Sequence, residues 1–202
     1  MSRSSRPTRR PATVAPKRRI LVFTEGQATE PIYVTQLHRD HRERVAVILD
    51  NRHGAPLTLV KLAVEALADA RRDERRGRGT AFDEVWCVFD VDEHPDLVEA
   101  KNLAAAAGIN VAVSNPCIEL WFVLHLDDQT AHVDRQKIQR RSNELFGFDK
   151  RPTPSALHTL NATYPRAKAR AIALDAMHQR NRSPEGSNPS TTIPPLVDSI
   201  SA

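Results

Sequence analysis

The 202-residue chain holds only two cysteines, Cys87 and Cys117. Both stand inside apolar segments, which excludes a disulfide framework and points to reduced thiols in a cytoplasmic protein. No apolar run approaches the roughly 20 residues that span a bilayer. The N-terminus is basic and rich in Pro and Ser, without the apolar stretch of a secretory signal, so no membrane association is expected. Catalytic signatures are missing too. No Gly-x-x-x-x-Gly-Lys-Ser/Thr loop is present, so the chain is not itself a P-loop ATPase, and no Gly-x-Gly-x-x-Gly, which removes a dinucleotide cofactor. No nucleophile elbow offers a serine. His94 and His125 lack partners at ligand spacing, which argues against zinc. No internal repeat is visible.

Acid is also absent from one segment. Residues 1–19 carry seven Arg and Lys and no Asp or Glu, a charge of +7; subtracting this from the net +4 leaves −3 for residues 20–202. A basic arm is thus attached to a mildly acidic body. Residues 1–18 read as disordered, and the arm serves either phosphate contact or solubility. At 40% hydrophobic the rest suits one domain with a proper core.

Apolar runs at Arg19–Thr24, Arg44–Asp50, Val85–Asp90 and Ile109–Ser114 read as four strands, buried on both faces where they are continuously apolar. Between them lie helices from Thr29 (an N-cap) to about His41, from Pro56 to about Arg76, and from Pro95 to Ala107, stopped by Gly108. The β-α alternation with short connections predicts an α/β fold, a doubly wound parallel sheet of about four strands with right-handed crossovers. Arg71–Gly79 is a charge run at a helix end, either solvated or facing phosphate. Ser114 or Asn115 is expected to cap a helix that is apolar nearly all round through His125, leaving Glu119 anomalous. It pairs with an arginine, reaches the rim, or joins other carboxylates. Residues 127–202 read as a mostly helical half covering one face of the sheet, with helices over Asp134–Phe146 and Ser155–Arg180. Trp121 reads as core and Cys117 as a packed thiol.

The chemistry concentrates at strand ends. Strand one ends in Glu25-Gly26 and strand three in Asp90-Val91-Asp92, and in a doubly wound sheet these strands are commonly neighbours, so three carboxylates are expected to converge. Like charges that close call for a cation, and an all-oxygen donor set selects Mg²⁺ or Mn²⁺. Such an ion serves phosphoryl transfer or phosphodiester hydrolysis, with Glu25 suited to general acid/base work. Lys150 and Arg151 either neutralise substrate phosphates or belong to a solvated loop. Asn188-Pro189-Ser190-Thr191 either caps a helix or brings Ser190 and Thr191 to a phosphate at a helix start.

These motifs carry a resemblance. Glu25-Gly26 followed by Asp90-x-Asp92 is similar to the Toprim pattern of topoisomerases, primases and several nucleases. More specifically, Thr24-Glu25-Gly26-x-x-Thr29-Glu30-x-x-Tyr33, Val88-Phe89-Asp90-x-Asp92, Ser114-Asn115-Pro116-Cys117-x-Glu119-Leu120-Trp121 and Asn188-Pro189-Ser190-Thr191 resemble the RloB-like family, over roughly residues 19–200. That family includes proteins of restriction loci and of AbiL-type abortive phage resistance. The resemblance implies a Toprim-like core over residues 19–126 with a helical extension, and a metal-dependent nuclease of DNA or RNA in phage defence. It also implies an ABC- or AAA-type ATPase partner, and leaves room for a homo-oligomer. Glu25 would be the acid/base, Asp90 and Asp92 metal ligands, and Glu119 a further ligand. A non-catalytic nucleic-acid- or nucleotide-binding subunit is the alternative.

Overall fold

The computed structural model describes residues 16–91 and 94–202, so the basic arm through residue 15, and Asp92 with Glu93, lie outside the described residues. Four parallel strands form the sheet's body: β1 (Arg18–Thr24), β2 (Val45–Leu49), β3 (Glu84–Asp90) and β4 (Asn110–Asn115). Helices α1 (Thr29–His41), α2 (Pro56–Arg75) and α3 (Leu97–Ala107) connect them. Then follow α4 (Glu119–Leu126), α5 (Arg135–Phe146), α6 (Pro154–Arg180), a two-residue strand β5 (Ser190–Thr191) and α7 (Ile193–Ser201). The sheet order is β2-β1-β3-β4-β5, with β5 antiparallel. This is a Rossmann-like α/β fold with five strands rather than about four.

Strand alternation splits the core into two layers. Ile20, Val22, Trp86, Val88 and Ala112 face a cluster built with α1, α4, α5, α6 and α7. Leu21, Phe23, Val85, Cys87, Phe89 and Val113 face the cluster of α2 and α3. Both faces are covered, which is why these strands read as continuous apolar runs. Burial pushes the Cys87 thiol up to about 12, as befits a packed side chain.

Three local expectations give way to different solutions. Thr29 lies inside α1 rather than capping it, and its hydroxyl donates to the Lys150 carbonyl at 2.9 Å. Neither Ser114 nor Asn115 caps α4; β4 continues through both, and the helix opens at Glu119 after a cis Asn115-Pro116 bond. The Asn188–Thr191 motif supplies the fifth strand and leads into α7, whose Ile193 N–H the Thr191 hydroxyl accepts at 3.4 Å. Ser190 and Thr191 are buried, Thr191 shares a 2.8 Å hydrogen bond with the Ser114 hydroxyl, and the Asn188 amide bonds both backbone groups of Val133. Among the described residues, no helix is long and apolar enough to cross a membrane.

Candidate functional site

The register explains the site. β1 pairs directly with β3, Thr24 against Val88, and the ladder extends one step further, Glu25 N–H donating to Val88 O at 3.0 Å. Both strands therefore end at one rim. There the Glu25 side chain turns back, its Oε2 accepting the Asp90 backbone N–H at 3.2 Å. Its Oε1 accepts from His94 Nε2, also at 3.2 Å. Asp90 is 6% exposed. Its Oδ1 accepts the Ile118 N–H at 2.9 Å, tying the entry of α4 to the end of β3. Its Oδ2 takes Arg135 Nη2, from the first turn of α5, at 3.2 Å.

Two further buried acids complete the cluster. Glu30 comes from the first turn of α1 and Glu119 from the first turn of α4. Burial raises the Glu30 pKa above the usual carboxylate range, and repulsion from Glu119 and Glu25 adds to it. Asp90 is raised well above that range, first by burial and then by Glu30, with Arg135 opposing. Glu119 Oε2 is buried with no hydrogen-bond partner among the described residues. Its charge, after burial, helps drive the Cys117 thiol pKa upward, so Cys117 is held as a neutral thiol. Of the three positions open to Glu119, it takes its place among the carboxylates.

Gly26 has a specific use here. A Cβ at this position would lie 2.8 Å from Glu30 Cδ, so only glycine lets the Glu30 carboxylate lie against the turn that follows β1. Tyr33 and Trp121, from two separated sequence motifs, meet in the core beneath. The Trp121 indole N–H donates to the Tyr33 hydroxyl at 2.9 Å, so these motif positions hold α1 to α4 under the rim.

The cluster has part of what a hard divalent ion asks for: one buried carboxylate oxygen, Glu119 Oε2, without a partner among the described residues, and acids whose mutual repulsion a cation would relieve. Glu25, Glu30, Asp90 and Glu119 are the described acids of the cluster. Among the described residues no group of three or more acidic, His or Cys side chains is placed to hold a metal ion, and Arg135 is the cation that lies on Asp90.

Of the expected site residues, Glu25, Asp90 and Glu119 come together, and Asp92 lies outside the described residues. The Lys150 backbone is pinned to the start of α1 by Thr29, while the Lys150 and Arg151 side chains are exposed. Ser190 lines a separate cavity of about 700 Å³ beside β4 and the end of α6, with Val91, Lys101, Asp175, His178 and Glu185. None of the four clustered acids lines it. Sequence reasoning missed Glu30, His94 and Arg135 as parts of the cluster. The signals for Glu30 were its place in the Thr24–Tyr33 motif and its position five residues after Glu25, across a turn containing glycine.

Together these define a Rossmann-like α/β protein with a buried acidic cluster at the carboxyl ends of its two central strands. The chain belongs to the RloB-like protein family, whose model matches residues 20–200. No curated protein and no solved structure matches it.

Proposed function

We propose that the chain is a Toprim-like, divalent-metal-dependent nuclease that cleaves DNA or RNA in anti-phage defence, of the restriction-linked or AbiL type, and that it works with an ABC- or AAA-type ATPase partner. The observation that carries this reading is the Glu25 carboxylate seated on the Asp90 amide, which joins the ends of β1 and β3 at one rim. Family membership supports it. When bound, Mg²⁺ or Mn²⁺ would stabilise charge on the attacking and leaving oxygens of a phosphodiester. Asp90 and Asp92 would hold the ion, with Glu119 as a further ligand.

The remaining steps belong to this chain's own side chains. Glu25 takes or returns a proton at its carboxylate, which is oriented by His94 on Oε1 and by the Asp90 N–H on Oε2. The Ile118 N–H holds Asp90 in place. Lys150 and Arg151, on the loop tied to the first turn of α1, receive substrate phosphates.

Purified protein, with and without an ATPase partner, should cut plasmid DNA or tRNA in Mg²⁺ or Mn²⁺, and Asp90→Ala with Asp92→Ala should abolish cutting. Equal behaviour of wild type and the double variant in every mixture would refute the reading. Two observations favour a second reading, a non-cutting nucleic-acid- or nucleotide-sensing subunit: Arg135 already neutralises Asp90, and residues 20–202 carry a net −3. In that case Glu25→Gln leaves binding intact and wild type shows no metal-dependent cleavage.

A further inference from the structure

Among the described residues the strand β2 ends the sheet, with β1 on one side of it and no strand on the other. Natural edges are usually blunted by proline, lysine, a bulge or a covering segment. Val45-Ala46-Val47-Ile48-Leu49 carries no proline or charged residue, pairs with β1 in an unbroken register, and leaves Ile48 37% exposed. The backbone fixes which groups face outward. Asp50 N–H donates to Val22 O, and in a parallel strand alternate residues turn both backbone groups to the same side. Ala46 and Ile48 therefore share Asp50's direction, toward β1. Val45, Val47 and Leu49 turn their N–H and C=O to the open side.

We propose that this edge pairs with the same edge of a second copy of the chain, antiparallel about a two-fold axis through Val47. Three features suit the edge to a second copy. First, the outward residues fall into register with themselves: Val47 opposite Val47, and Val45 opposite Leu49 twice, all hydrogen-bonded pairs, about six bonds in all. Second, the intervening close pairs set Ile48 against Ala46 of the other copy, which covers the one exposed large side chain of the strand. Third, the flanking charges complement each other, since Arg44 falls opposite Asp50 at both ends. Among the described residues Arg44 meets the Ser201 carbonyl at 3.4 Å and no carboxylate, and Asp50, 16% exposed at its side chain, is held by Arg52 through both carboxylate oxygens. A segment whose flanking charges were of one sign would repel its own copy. The joined sheet runs through both chains, and because their strands are antiparallel the two acidic rims lie at opposite ends. Each rim stays open to its own substrate, so the pairing is independent of what chemistry the rim performs.

The test uses the full chain in analytical ultracentrifugation over roughly 1–100 µM, concentrations that bracket an ordinary micromolar dimer. Wild type should reach twice the 22.6 kDa chain mass. Ile48→Lys, at an exposed position, and Arg44→Glu should each raise the dimer dissociation constant about tenfold or more while leaving circular dichroism unchanged. Val47→Cys should form an inter-chain disulfide on mild oxidation, because paired Val47 Cα atoms would stand about 5.5 Å apart; the native Cys87 and Cys117 are buried. A monomer at every concentration overturns the proposal. So does a dimer that survives Ile48→Lys, or an edge that becomes occupied only when a strand from another protein is added.

Discussion

Arg135→Met removes the cation on Asp90 and keeps most of the packing volume. Deleting one partner of a fully buried ion pair costs roughly 3–5 kcal/mol, because the other charge is left uncompensated. Here Asp90 is 8% exposed at its side chain but Arg135 is 39% exposed, so solvent recovers part of that and about 2 kcal/mol is expected. For a chain of this size that lowers Tm by about 4–8 °C. The loss should depend on pH in a definite direction. The folded pKa of Asp90 lies above its unfolded value, so the folded state takes up its proton first as pH falls. Stability tied to this group is present in full below the unfolded pKa and is lost as pH rises through the folded one. The Arg135→Met deficit should accordingly be largest near pH 7 and shrink on acidification. Thermal and urea unfolding of wild type, Arg135→Met, Asp90→Asn and the double variant, with chelator present, closes the cycle. Most of the deficit should vanish in the Asp90→Asn background. An equal deficit in both backgrounds would refute the claim that Arg135 acts by neutralising Asp90.

Gly26→Ala should destabilise by about 1–2 kcal/mol, the usual cost of overfilling a packed site, because its Cβ would press on the Glu30 carboxylate. In a Glu30→Ala background that cost should fall away, as thermal unfolding would show. Tyr33→Phe strands the buried Trp121 indole N–H and should cost about 1–3 kcal/mol, measured as a shift in urea midpoint with unchanged slope. His125 is buried, and burial lowers its pKa to about 3. Its folded value lies below the unfolded one, so stability present above pH 6.5 is lost as pH falls toward 3, by at most about 5 kcal/mol. His125→Phe, which keeps the ring against Trp121, should flatten the acid limb of Tm against pH between 6.5 and 4; an unchanged limb would count against His125 as its source.

The parts of the architecture legible in the sequence are those written in continuous local signals. The runs Ile20–Phe23 and Val85–Phe89 announce strands buried on both faces, and Gly108, in the left-handed conformation at φ 72°, ends α3 where it was expected to. The pairing of β1 with β3 followed from doubly wound topology and brought Glu25 to Asp90. What stayed hidden depends on long-range packing. β5 is two residues long, and a strand that short carries no alternation; it exists because Thr191 and Asn188 find partners 77 and 55 residues away. Glu30 stands in the first turn of α1, where the helix dipole favours an acid, and nothing local marks its burial beneath the turn at Gly26. Arg135 sits in a basic helix whose buried positions are Ile138 and Ser142, and is singled out only by where α5 packs.

The most direct test of the acidic rim is a calorimetric titration of the full, folded chain with Mn²⁺ at pH 7, repeated with Mg²⁺. The account predicts saturable binding at about one site per chain, abolished by Asp90→Asn and at least tenfold weaker in Glu119→Gln. No binding by wild type, or binding indifferent to Asp90, would contradict it.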